Sequence, residues 1–190
     1  MFQSPTESLV EDVAADCFTS MLFVCQRGVE LDNAAERTGP ETALLVQRLT
    51  AAIHNLNPAF TSDTIEQVVR TIQHPPHPTL IENNRWLHGL LTDGVEVEYR
   101  DAATGEQRGG RARLVDFENP GANDFRVVRQ LTVVTANGKR IRPDLVVYLN
   151  GLPLVVIELK DPADVSADLG RAIDQLERYR EVAPDLFVPN

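Results

Sequence analysis

The segment from Ile141 to Lys160, IRPDLVVYLNGLPLVVIELK, constrains this chain more than any other. Two apolar runs flank Asn150-Gly151, a dipeptide suited to a tight hairpin turn because both central residues then take positive φ. Runs this apolar belong to strands buried on both faces. Asn150, Gly151 and Pro153 interrupt the region, so it reads as strands and not as a membrane span. Yet Asp144 stands before the first run, and Glu158 and Lys160 close the second. Taken singly, each is an ordinary charge at a strand end that reaches water. Taken together they are not. Glu158 and Lys160 are two apart and share one face of a strand. The hairpin brings Asp144 to the neighbouring strand near Glu158. Two carboxylates about 4 Å apart repel by about 4 kcal/mol at an effective dielectric of roughly 20. A divalent cation would compensate, since hard cations take carboxylate oxygens and Mg²⁺ typically uses one or two carboxylates with water and phosphate oxygens. Such an ion can activate water and neutralise a phosphate. A lysine on the same face can hold the charge that develops there.

Register supplies a condition. A strict two-residue loop at Asn150-Gly151 sets Asp144 opposite Ile157, facing away from Glu158. A shared cation requires a shift of one residue. The sequence therefore predicts a three-residue loop, a bulge near Pro153, or a bend at Pro143-Asp144.

Residues 1–92 read as mainly helical and 93–190 as sheet. Ser4 or Thr6 caps a helix to about Thr19, with Leu9, Val13 and Cys17 on one face. Met21 to Cys25 reads as a strand or a continuation of that helix, and residues 26–40, with Gly28, Gly39 and Pro40, as a loop. Helices are predicted over Glu41–Asn55, from Thr61 or Ser62 to the HPPHP segment, and over Thr79–Leu91. The pattern then alternates with period two. VEVEYR and RARLVDF form a hairpin across the turn GEQRGG, DFRVVRQLTVV is one long strand, and ANGKR is a turn. A helix from about Ala167 to Val182 follows the opening hairpin, and the tail APDLFVPN approaches a further strand. The expected class is α/β or α+β, with an antiparallel-rich sheet.

The formal charge is −10, from 18 basic and 28 acidic residues, which taken alone argues against tight, non-specific binding to phosphate backbones. Two basic clusters, Arg108/Arg111/Arg113 and Lys139/Arg140/Arg142, are either solvated loop charges or phosphate contacts. The N-terminus does not show a basic stretch followed by an apolar run, so no secretory signal is expected, and Cys17 and Cys25 have no metal-type spacing, so a reducing, cytoplasmic setting without membrane association is expected. His74 and His77 lack a third ligand nearby, which argues against zinc. The NGKR segment lacks the first glycine and the Ser/Thr of a phosphate-binding loop.

Pro143-Asp144 with Glu158-Leu159-Lys160 resembles the PD-(D/E)xK nuclease signature. The fuller string RPDLVVYLNGLPLVVIELKDP is similar to the nuclease motif in the restriction (R) subunit of type I restriction-modification enzymes. The likeness extends through ENNRWLHGLL, LLTDGVEVEYRD, LVDFENPGANDFRVVRQLTV and DQLERYR, covering most of the chain from about Asn57 onward. It implies a restriction-endonuclease-like α/β fold over residues 1–190: a central mixed sheet, an N-terminal helical region and a helix after the ExK strand. It also implies roles. Asp144 and Glu158 match the metal-binding carboxylates, and Lys160 the catalytic lysine. Gln175 and Tyr179 match a QxxxY element that contacts DNA or positions the lysine; as i and i+4 they share a helix face. Glu11, in LVED, fits a further carboxylate from the first helix, with Glu7 its rival.

The implied function is Mg²⁺-dependent hydrolysis of phosphodiester bonds in double-stranded DNA by a type I site-specific deoxyribonuclease, without base reading by this domain. In such enzymes ATP is used by motor domains of the same longer chain, and methyltransferase and specificity subunits complete the complex. The expectation is therefore an N-terminal part of that subunit, with little activity by itself. The alternative is a non-catalytic, nuclease-like module that docks a motor or methyltransferase subunit.

Overall fold

The structure, a computed structural model, describes residues 7–34, 36–101, 103–135, 137–160 and 169–190. The predicted caps Ser4 and Thr6 and the predicted helix start at Ala167 lie outside the described residues. Helix α1 spans Glu7–Ser20. A turn with Leu22 at φ 69° redirects the chain into strand β1, Val24–Arg27, and α2, Gly28–Asn33, follows at once. Residues 26–40 are thus only partly loop. Gly28 opens a helix rather than a turn, and a side chain has no room there: a Cβ would meet the Gln130 carbonyl oxygen at 2.8 Å.

Helix α3, Val46–Leu56, begins later than the periodicity from Glu41 predicts. The preceding residues dock instead of coiling: the Leu45 amide donates to the Gly151 carbonyl at 3.0 Å. Helices α4, Ser62–Gln73, and α5, Leu80–Asp93, start where their caps predict, with the hydroxyls of Thr61 and Thr79 accepting from the amides of Thr64 and Glu82. Strands β2, Val95–Arg100, and β3, Gln107–Ala112, form an antiparallel hairpin. Its turn falls earlier than GEQRGG. Asp101 organises it by accepting from the amides of Ala103 and Thr104, each at 2.9 Å, and Gln107 to Gly110 join the strand.

The predicted long strand breaks in two. β4 is Phe125–Arg129 and β5 is Val133–Val134, because Gln130 takes φ 54° and turns the chain. β5 pairs with β6, Arg140–Ile141, as a separate ribbon. β7, Leu145–Leu149, and β8, Leu152–Ile157, complete a four-stranded sheet of order β1-β4-β7-β8. β1 runs parallel to β4 and the other pairs are antiparallel, so this sheet is mixed, and it draws β1 from the helical half. Helix α6, Leu169–Val182, leads into a 3₁₀ turn over Pro184–Phe187. The tail buries Leu186 within this turn and Val188 just after it.

Two apolar clusters hold these layers. One gathers Leu49 and Ile53 of α3, Ile65, Val68 and Ile72 of α4, and Leu87 of α5 against Val95, Val97 and Ala112 of the β2–β3 hairpin. The other packs Val128, Val146 and Tyr148 of the central sheet against Tyr179, Ala183 and Leu186. Fully buried Tyr148 satisfies its hydroxyl by donating to the Ala43 carbonyl at 2.8 Å. Among the described residues no helix is long and apolar enough to cross a membrane.

Candidate active site

The hairpin of β7 and β8 turns on Asn150 at φ 51° and Gly151 at φ 82°, the conformation of a two-residue loop. Leu149 pairs with Leu152 and Tyr148 with Pro153, but Val147 pairs with Val155. Leu154 is therefore an extra residue: a bulge next to Pro153, one of the three devices the register condition allowed. Its cause is local. Proline has no N–H for the ladder, and β8 is an edge strand, where a bulge is tolerated. Beyond the bulge Leu145 pairs with Ile157, and the same register continued by one residue sets Asp144 opposite Glu158.

Both carboxylates are withdrawn from water. Asp144 is 9% exposed. Its Oδ2 accepts from the Leu159 amide at 2.7 Å and its Oδ1 from Gln130 Nε2 at 3.2 Å. The Glu158 side chain is 3% exposed, and its Oε1 accepts from Lys160 Nζ at 3.1 Å. Glu158 Oε2 is buried and has no hydrogen-bond partner among the described residues. Burial, and next the charge of Asp144, push the Glu158 carboxyl above its usual range, against the opposing pull of Lys160 and, more weakly, of the nearby Tyr179 hydroxyl. Glu158 to Lys160 lie just past the end of β8.

The Lys160 ammonium also donates to Gln175 Oε1 at 2.8 Å, and Gln175 Nε2 donates to the Tyr179 hydroxyl at 2.7 Å. Tyr179, buried and pushed up by burial, reaches the Arg142 carbonyl at 3.4 Å. A continuous chain of hydrogen bonds thus runs from Glu158 through Lys160 and Gln175 to α6. Glu11 lines the same cleft, but its oxygens are engaged: Oε1 accepts from Arg129 Nε at 2.8 Å and Oε2 from Gln130 Nε2 at 2.9 Å. The side chain of its rival Glu7 lies outside the described residues.

The cleft has a volume of about 760 Å³. Arg140, Arg142 and Arg178 line it, are exposed, and have no ion-pair partner among the described residues. The other basic cluster differs. Arg108, Arg111 and Arg113 lie beside Glu106, Glu96 and Asp116 at 2.9, 2.8 and 3.7 Å. The two clusters look alike in sequence, but only Arg140 and Arg142 line the cleft with the carboxylates.

Among the described residues no three His, Cys, Asp or Glu side chains converge, so the site offers two carboxylates. That donor set fits a hard divalent cation that keeps several waters. The unpartnered Glu158 Oε2, held beside a second carboxylate, is an acceptor such an ion would satisfy. His74 is accounted for otherwise, its Nδ1 lying 2.9 Å from the Arg70 carbonyl oxygen.

Gln130 was missed by sequence reasoning. Within FRVVRQLTVV it reads as one more residue of a strand, and its left-handed backbone leaves no compositional mark. The adjacent polar pair Arg129-Gln130, breaking the alternation of an apolar strand, is the one signal that points to it.

Comparison with known proteins gives a consistent result. A family model described as type I restriction enzyme R protein N terminus matches residues 6–190. The type I restriction enzyme HindI endonuclease subunit of Haemophilus influenzae is 40% identical over 147 residues, covering 77% of this chain and 14% of that protein. A Methanocaldococcus jannaschii protein with the provisional name type I restriction enzyme MjaIXP endonuclease subunit is 32% identical over 157 residues, 81% of this chain and 15% of its own length. The chain thus spans about a seventh of the length of these relatives.

Proposed function

The chain belongs to the family of type I restriction enzyme R protein N-terminal regions, and from that premise we propose that it is the Mg²⁺-dependent endonuclease domain of such a subunit, with a PD-(D/E)xK fold. It hydrolyses phosphodiester bonds of double-stranded DNA delivered by motor domains and by methyltransferase and specificity subunits. The observation that carries this reading is the buried, unpartnered Glu158 Oε2 held opposite Asp144. Leaving such an atom unsatisfied is costly, and beside a second carboxylate a cation would both complete it and offset the repulsion.

Asp144 and Glu158 would hold the ion. When bound, Mg²⁺ supplies Lewis-acid polarisation of the phosphate and a water of lowered pKa. The remaining work falls to the chain's own side chains. Lys160, 27% exposed, is aimed by Glu158 and Gln175 and has a third N–H for the charge that grows on the phosphate oxygens. Gln175 holds Lys160, and Tyr179, fixed in the core, holds Gln175. Arg140, Arg142 and Arg178 meet backbone phosphates as the duplex enters. The overall charge of −10 opposes binding by this domain alone, so delivery by partners is part of the mechanism and the isolated chain cuts weakly.

The test is Lys160→Ala in the complete assembly with ATP and Mg²⁺. Cleavage should fall by about 10²–10³, with ATP hydrolysis and translocation retained. Cleavage at the wild-type rate would instead favour a non-catalytic docking module.

A further inference from the structure

Gln130 stands at the centre of contacts that neither the signature nor the helix element explains. It ends β4 with φ 54°, a backbone region where an unbranched residue with a Cβ is rarely kept without a reason. Its backbone amide donates to the Asp144 carbonyl at 2.9 Å. Its side-chain amide has two hydrogens and contacts two carboxylates, Asp144 Oδ1 at 3.2 Å and Glu11 Oε2 at 2.9 Å. From behind, α2 closes on it: the Gln130 carbonyl oxygen and the Leu131 Cα lie 2.8 and 3.0 Å from where a Cβ on Gly28 would stand. Glu11 is itself anchored by Arg129. Gln130 is therefore clamped between the first helix, α2 and the strand that presents Asp144.

We infer that Gln130 is a positioning residue for the cation site, holding the Asp144 carboxylate toward Glu158, and that Glu11 serves as the anchor of that amide rather than as a metal ligand. This rests on the reading of Asp144 and Glu158 as cation ligands. The register that pairs Arg129 with Leu145, continued by one residue, sets Gln130 opposite Asp144, so the backbone bond extends the ladder while the side-chain amide stands beside the carboxylate. A cation ligand fixed by an outer hydrogen bond needs no reordering when the ion arrives, and loss of such a partner typically lowers metal affinity about 10- to 100-fold.

The test uses the full subunit without ATP and Mn²⁺ alone as the probe, with free ion followed by electron paramagnetic resonance. D144N sets the baseline for sites elsewhere in the subunit. Gln130→Met keeps length and flexibility but removes both side-chain donors, while Gln130→Gly also relieves the backbone. Both should bind Mn²⁺ about 10- to 100-fold more weakly than wild type, with the glycine variant melting no lower than wild type. Cleavage by both should shift to higher Mg²⁺ and recover at saturation. Wild-type Mn²⁺ affinity in either variant overturns the inference, and a purely structural Gln130 would give that affinity together with a lowered melting temperature. If wild type and D144N bind Mn²⁺ alike, the cation site itself is wrong and this inference falls with it.

Discussion

Replacing Glu158 by Gln should stabilise the cation-free protein while abolishing its use of a cation. The glutamate side chain is 3% exposed, and one oxygen has no hydrogen-bond partner. An unsatisfied buried polar group costs about 1–3 kcal/mol, more when charged. The amide leaves its NH2 at the unpartnered position of Oε2, so that cost remains in its neutral form, but it removes the charge and the repulsion from Asp144. Its carbonyl keeps the Lys160 bond, weakened from about 1.5–3 to about 0.5–1.5 kcal/mol once the acceptor is neutral. The balance favours the variant by about 1 kcal/mol, or about 2–4 °C in Tm for a chain of this size. Thermal unfolding in EDTA near pH 8 measures it. Excess Mg²⁺ should then invert the order, since a ligand at about 100 times its Kd adds about 2.7 kcal/mol to wild type alone. A variant that melts below wild type in EDTA would refute the reasoning, because the Lys160 pair would then outweigh burial and Asp144.

The same carboxylate sets a pH dependence. Its folded-state pKa is raised above the ordinary 4.5, so it favours the cation-free fold below that value and ceases to do so as pH rises through the folded value. Cation binding has the opposite sign and should be lost, as pH falls, at a higher pH than an ordinary glutamate would give; Mn²⁺ titrations across pH check this. Gly151→Ala should destabilise by well over about 1 kcal/mol, because residue 151 has φ 82° and a Cβ would meet the Leu45 oxygen and Leu49 nitrogen at 2.6 Å; denaturant melts measure it. Arg140→Ala with Arg142→Ala in the complete assembly should leave ATP hydrolysis intact, and DNA-cleavage titrations should show a salt dependence of apparent affinity shallower by about two phosphate contacts.

The parts of the fold legible in the sequence were those governed by local chemistry. Thr61 and Thr79 announce α4 and α5 because a side-chain cap needs only neighbours in sequence, and Asn150-Gly151 announces its turn because both residues accept positive φ. What escaped was set by distant contacts. The late start of α3 depends on Leu45 bonding Gly151, more than a hundred residues away. β1 takes its place in the central sheet only because β4 lies alongside it. The convergence of Asp144, Glu158, Lys160, Gln175 and Tyr179 in one cleft could be expected from the family resemblance, which alone implied the part of Gln175 and Tyr179, whereas Gln130 could not. Arg140 and Arg108 carry the same charge in similar surroundings of sequence, and only the carboxylates near Arg108 separate them.

The bulge beside Pro153 ties these scales together. A hairpin this apolar would pair most simply without a bulge, and its two-residue turn is built for that. Regular pairing puts Asp144 on the face away from Glu158, because side chains alternate along a strand. Pro153 denies the ladder one donor close to the turn, where the edge strand has no outer partner to disturb. The extra residue at Leu154 is then absorbed within the hairpin, and every pair beyond it is displaced by one. The displacement costs a ladder bond in a buried sheet and brings two carboxylates together, both unfavourable for folding alone. A sequence selected only for a stable hairpin would keep neither. Proline, bulge and paired acids therefore form one device, in which the turn chemistry at one end of β7 and β8 determines what the other end can bind.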